Sequence, residues 1–262
     1  MDVHGIWQED EEVMGEMVVD YYKELFTTRN PTDFATILEA VPPRVTTSMN
    51  QKLTMDFTAD EVRLALKQMY PLKAPGTDGM PPLFQQHFWP HIGEVVTQTI
   101  FDFLKLGLAP PNFNETHIVL IPKIKEPQKV TDYRPISLCN VVYKIASKAI
   151  ANRLKKFLPS IISDTQSPFV HGRLIIDNAL VAFKSMYHIN QKRGGKMGTM
   201  ALKLDMSKAY DRVEWVWLEK IMCTLGFNEK WRKLIMQCVT SITYSVRING
   251  KPKGHIIPTR GI

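Results

Sequence analysis

Among these 262 residues no apolar run approaches the roughly 20 that a membrane-spanning helix needs, so no membrane partner is expected. The three cysteines, Cys139, Cys223 and Cys238, stand far apart, which argues against a disulfide framework and against a cysteine-based zinc site. The first residues, "MDVHGIWQEDEEVMGEM", are acidic and lack the basic-then-apolar order of a secretory leader, so the chain reads as intracellular, in nucleus or cytoplasm. No G-x-G-x-x-G follows a strand-like run, and "GGK" at 194–196 lacks the remaining residues of a phosphate-binding P-loop. His87 and His91 are separated by Pro90 with no H-E-x-x-H around them, and no Ser/His/Asp or Cys/His set is evident. Nowhere do two aspartates stand side by side.

What is present is a globular composition, 44% hydrophobic and 23% charged, with an uneven charge. Residues 121–173 hold ten lysines and arginines against three acids, so this one segment carries the whole net +7 of the chain. A local surplus of that kind suits a polyanion-binding face, and equally the solvated side of a basic helix.

The pattern alternates helices with a few strands, an α+β class. Residues 9–27 read as a helix and 28–57 as short proline-interrupted pieces, together an N-terminal extension over 1–57. "TADEVRLALKQM" is a helix capped by Thr58 with Glu61 three residues on, and Val62, Leu66 and Met69 share its face. "YPLKAPGTDGMPP" is a shaped loop in which Asp78 ties the chain to its own backbone. A helix from His91 to Leu108 precedes "THIVLIPKIK" (116–125), a buried strand with a charged exit, and "DYRPISL" reads as a turn. Helices follow over 141–158 and 177–190, with "QKRGGKMG" as a loop. "GTMALKL" (198–204) reads as a strand entering a core, and two helices from Trp215 and from Asn228 come after it. Asn249-Gly250 between two strand-like runs marks a hairpin.

Asp205 closes the 198–204 run. A carboxylate at the mouth of a buried strand is a common metal ligand on a rigid floor, as two-metal phosphoryl transfer requires, and an equally common helix cap. Asp211, just before the next helix, is better placed as a cap or first-turn acid.

Five blocks in order, "PLKAPGTDGMPP" (71–82), "IVLIPKIKEP" with "DYRPISLCNVVYKIASKAIANRLK" (118–155), "QSPFVHGRLIIDNAL" (166–180), "ALKLDMSKAYDRVEW" (201–215) and "IPTRGI" (257–262), resemble the reverse transcriptases of non-LTR, LINE-type retrotransposons, especially the plant form. The resemblance implies a right-hand polymerase with fingers over 58–195 and part of a palm over 196–262. The implied reaction is RNA-directed addition of a deoxynucleotide to a primer 3′-hydroxyl, with RNA template, DNA primer, deoxynucleotide triphosphates and Mg²⁺.

The same resemblance implies residue roles. Asp205 matches the first metal-binding aspartate, and the Met206 carbonyl lies where a backbone ligand is often added. Tyr210 matches the aromatic that packs under the sugar and excludes a 2′-hydroxyl. Arg134 and Lys123 fall where such enzymes hold the triphosphate, Arg134 in the better-defined motif and Lys123 also readable as a solvated strand exit. Gln166, Gly172 and Arg173 fall in a template-and-primer contact block, alternatively a shaped loop before a helix. Lys144 and Lys148 are the nucleic-acid candidates on the basic helix. The family's Tyr-x-Asp-Asp hairpin is not in this sequence, so the sequence-level expectation is a truncated copy with little polymerase activity. The alternative is a non-catalytic nucleic-acid binder working through 121–173.

Overall fold

The computed structural model describes residues 6–192 and 198–262. Its first element, helix α1 (Glu11–Leu25), begins at Asp10, whose Oδ1 accepts from the amides of Glu12 (2.7 Å) and Val13 (3.1 Å). Two short helices, α2 (Ala35–Glu39) and α3 (Thr47–Thr54), follow. Helix α4 (Ala59–Lys67) starts on the anticipated reciprocal cap: the Thr58 side chain accepts from Glu61 N, and the Glu61 carboxylate accepts from Thr58 N at 2.9 Å. Helix α5 (Pro82–His87) leads into α6 (Trp89–Leu106), which ends at Gly107 in the left-handed conformation.

Strand β1 (Glu115–Pro122) and strand β2 (Tyr133–Cys139) then form an antiparallel pair with Ile121 opposite Arg134. Helices α7 (Val141–Lys155), α8 (Leu158–Ile161) and α9 (Ile175–Gln191) come next. After the second described stretch begins, α10 (Trp215–Thr224) and α11 (Glu229–Thr240) lead to β3 (Thr243–Ile248) and β4 (Lys251–Ile256). Asn249 and Gly250 both have positive φ, 48° and 83°, the geometry a two-residue hairpin requires.

One sheet, in the order β2-β1-β3-β4, unites these strands; β1 and β3 run parallel, and the outer pairs are antiparallel. It joins strands from both sides of the division expected at residue 195. The buried residues form two cores, one among the helices and one on the sheet. Helices α3, α4, α6, α7 and α11 enclose Leu53, Val62, Ile100, Phe103, Ile145 and Trp231. On the sheet, α1 from the N-terminal extension presses Tyr22, Leu25 and Phe26 against Ile118, Tyr244, Val246 and Ile256. Gly254 makes that approach possible: it has φ +69°, and a Cβ there would lie 2.6 Å from both γ-methyls of Val19. Gly254→Ala is therefore expected to cost about 1–3 kcal/mol in urea unfolding. An unchanged midpoint would mean that α1 does not seat on β4 in this way.

Two expectations are corrected. "DYRPISL" is not a turn but most of β2; Pro135 is accepted there because β2 is an edge strand, where a missing N–H leaves no ladder bond unmade. "GTMALKL" is not a strand entering a core. Residues 198–206 form no regular element, and Leu204 and Met206 are 82% and 70% exposed. Alternating apolar residues give a strand a face but not a neighbour. Among the described residues none of the four strands lies beside 198–206 to take its backbone groups. Helix α9, expected over 177–190, forms but buries none of its residues. The loop expected over 191–198 lies largely outside the described residues. No helix of the described residues is long and apolar enough to cross a membrane.

Candidate functional site

The turn that carries Tyr210 is the best-defined part of the candidate site. Lys208 has φ +53°, and Tyr210–Arg212 form one 3-10 turn directly after it. The Lys208 ammonium is buried over the rings of Tyr21 (4.5 Å) and Tyr22 (5.1 Å), with no hydrogen-bond partner, so α1 grips the turn through a cation–π contact. Asp211 does not cap α10: Glu214 holds the N-cap position, and Asp211 sits within the 3-10 turn. Burial holds the Asp211 carboxyl above the usual carboxylate range, against the opposing pull of Lys208 and Arg212.

The segment 259–262 closes on the turn and on the end of α1. Gly261 N donates to Val213 O (2.8 Å), Ile262 N donates to Tyr210 O (3.2 Å), and Trp215 Nε1 donates to Gly261 O (2.7 Å). Thr259 N and Arg260 N both donate to Phe26 O. Arg260 is buried, its Nε on Leu25 O and its Nη1 on Glu214. Glu214 also accepts from the Thr28 hydroxyl.

Asp205 lies before this turn, exposed, on the irregular 198–206 stretch with Met206 beside it. Among the described residues no three His, Cys, Asp or Glu side chains converge to hold a metal ion.

Tyr210 does meet one other predicted block. Its ring stands edge-to-face with Phe169, centroids 6.1 Å apart, bringing the 166–173 loop to the Tyr210 turn. In that loop Gln166 is exposed, and Gly172 (φ +82°) has open space where a Cβ would stand. Arg173 turns inward: its guanidinium donates to the carbonyls of Pro159, Ile162, Ser163 and Gln166 and pairs with Asp164 at 3.2 Å. At the β1–β2 hairpin, Arg134 is exposed on the edge strand, while the Lys123 ammonium donates to Thr131 O at 2.8 Å. Lys144 donates to Ala74 O (2.9 Å), binding the "APGTDG" loop to α7, and burial lowers its pKa. Asp78 accepts from Met80 N at 3.0 Å, which is the loop-tying role read from the sequence. Lys148 is half-buried on the same helix.

Residues 121–262 match the family model described as Reverse transcriptase (RNA-dependent DNA polymerase). That is more than half of the chain. The chain belongs to this family. Curated relatives agree with the LINE-type resemblance read from the sequence blocks. This reverse transcriptase chain is 28% identical over 256 residues to the "Transposon TX1 uncharacterized 149 kDa protein" of Xenopus laevis, covering 97% of this chain and 19% of that protein. It is 23% identical over 211 residues to the "Retrovirus-related Pol polyprotein from type-1 retrotransposable element R2" of Popillia japonica, covering 78% and 27%. Over 113 residues it is 31% identical to the "Probable RNA-directed DNA polymerase from transposon BS" of Drosophila melanogaster, covering 42% and 12%. The reverse transcriptase chain thus spans less than a third of the length of each of these relatives.

Sequence reasoning passed over three residues of this site: Phe169, Lys208 and Arg260. All three stand inside blocks that were quoted for the family resemblance. The polar neighbours of Phe169 drew attention instead. No periodicity announces that Lys208 and Arg260 point inward.

Proposed function

We propose that this chain acts in RNA-directed DNA synthesis of a non-LTR retrotransposon, inside the cell, in nucleus or cytoplasm. It holds an RNA template and a DNA primer for addition of a deoxynucleotide, from its triphosphate, to the primer 3′-hydroxyl. The observation that carries this reading is the family match over 121–262, which contains Arg134, Asp205 and Tyr210.

In this reading Tyr210 lies under the nucleotide sugar, where a ring leaves room for hydrogen but not for a 2′-hydroxyl. Arg134, exposed on the edge strand, takes phosphate oxygens. Lys123 stiffens the hairpin tip through Thr131 and adds positive charge there. Gln166 and Gly172 face the nucleic acid, while Arg173 holds their loop in shape. Lys148 contributes charge along α7, and Lys144 acts through the loop it fastens.

Mg²⁺ is the cation this reading assigns to a complete site of the family type, with Asp205 and the Met206 carbonyl among its ligands. A pair of cations about 3.5–4 Å apart needs more carboxylate than that. The described residues do not fit the metal pair by themselves. That single carboxylate favours a second reading, in which the chain binds nucleic acid through 121–173 without turnover.

Binding of the purified chain to single-stranded RNA and to an RNA–DNA hybrid, between 50 and 200 mM salt, tests both. Affinity is expected to fall steeply with salt, and Arg134→Ala to weaken it evenly across sequences while lowering the salt slope by about one. Failure to bind either polymer would sink both readings. Primer extension by the same chain, abolished by Asp205→Ala, would decide for a working metal site and against the binding-only alternative.

A further inference from the structure

The Phe169 ring is 83% exposed, and the Tyr210 ring beside it is 55% exposed. A solitary exposed phenylalanine needs no explanation. This one also has φ +65°, a left-handed conformation in which a bulky residue is a genuine outlier. The residues on either side explain how it is kept there. Ser167 is buried and donates to Asn178 Oδ1 at 3.1 Å, Val170 is buried, and Arg173 ties the Gln166 carbonyl of the loop to the Pro159 carbonyl of α8. The loop is thus anchored at both ends, and its apex lifts an aromatic ring into solvent against Tyr210.

The loop's charge inventory limits what that ring can meet. The one arginine in the loop is committed to four carbonyls and Asp164, which leaves His171 as the loop's exposed basic side chain, two residues from the apex. What the apex offers is an aromatic face, which recognises a base and not a phosphate.

We propose that Phe169 is a stacking platform for an unpaired base of a single-stranded RNA template, its ring steadied by the edge-to-face contact with Tyr210. This rests on the reading that the chain holds an RNA template. It adds the residue that touches the base, and it explains why the contact is aromatic: every base presents a π-face, so stacking tolerates the changing sequence a copied template brings.

The test is binding of the full chain to a short single-stranded RNA containing one 2-aminopurine, whose fluorescence falls when it stacks. Phe169→Ala is expected to weaken binding about tenfold and to remove much of the quenching. The slope of affinity against salt should not change, because no charge is lost. Phe169→Trp should restore both affinity and quenching. Because the side chain is exposed, the urea midpoint of the alanine variant should match the parent, which separates stacking from a folding defect. Parent-like affinity and quenching in Phe169→Ala would overturn the inference while leaving the template-binding reading intact. Loss of affinity with an altered salt slope, or without rescue by tryptophan, would also overturn it. If the unsubstituted chain fails to bind the RNA at all, the template-binding reading fails and this inference falls with it.

Discussion

Replacing Arg153 by alanine is expected to remove about 3–5 kcal/mol of folding stability. Although Arg153 belongs to the basic 121–173 segment, it is buried where α7, which carries it, packs on α4. Its Nε and Nη2 grip the Glu61 carboxylate at 2.6 and 2.7 Å. The same guanidinium donates to the carbonyls of Leu53 (3.2 Å), Met55 and Asp56 (2.7 Å), and lies 3.6 Å from the centre of the Phe57 ring. One side chain therefore satisfies the end of α3, the start of α4 and the linker between them. Glu61→Gln should cost less, because three carbonyls keep their donor and Glu61 is partly exposed. The pair also has a pH signature. The hydrogen bond from Arg153 is the largest cause holding the Glu61 carboxyl below its usual value. A depressed carboxylate stabilises the fold above its unfolded pKa, and that contribution is lost as pH falls through the lower, folded value. Urea unfolding from pH 7 to pH 3 should show stability falling below about pH 4.3 in the parent chain and a flatter profile in Arg153→Met. Identical acid limbs in the two proteins would show that the pair does not carry this dependence.

Arg153 also marks what the sequence makes legible and what it does not. Local rules are written where they act. The Thr58–Glu61 cap, the Asn249-Gly250 hairpin and the apolar face of α7 could all be read from neighbouring residues, and all are present. Composition counts a cation without saying where its donors point. The surplus in 121–173 accordingly looked like a surface, although Arg153 and Arg173 serve carbonyls inside the molecule. Strand β2 was hidden by Pro135, because edge or interior placement is a property of the sheet and not of the segment. The apolar alternation over 198–204 was visible, but pairing depends on a partner that alternation cannot specify. At the candidate site, Asp205 and Tyr210 are singled out by the block they stand in, whereas the Phe169–Tyr210 contact joins residues far apart in the chain. Ring geometry of that kind has no local signature.

Arg260→Ala is expected to cost a comparable amount, about 3–5 kcal/mol, and to reach the site as well. The Arg260 and Glu214 side chains are only 9% and 15% exposed, with 3.2 Å between Nη1 and Oε1. Removing the guanidinium leaves Glu214, among the described residues, with the Thr28 hydroxyl and strips the Leu25 carbonyl of its donor at 2.9 Å. Water reaches neither group easily, so the desolvation cost stands uncompensated. Arg260→Lys keeps the charge but cannot serve Leu25 and Glu214 together, and should fall between the parent and the alanine variant. The pair also fixes where 259–262 lies, and through Gly261 and Ile262 that segment holds the carbonyls of Val213 and Tyr210. Loosening it should free the Tyr210 turn from 259–262 while Lys208 still ties it to α1. Two measurements separate these effects: the urea midpoint reports the buried pair, and 2-aminopurine quenching in bound RNA, taken well below that midpoint, reports the Tyr210–Phe169 contact. Both should fall in Arg260→Ala. A stability change below about 0.5 kcal/mol would place the pair among solvated surface contacts. Full quenching with lowered stability would confine Arg260 to the scaffold and leave the turn to α1.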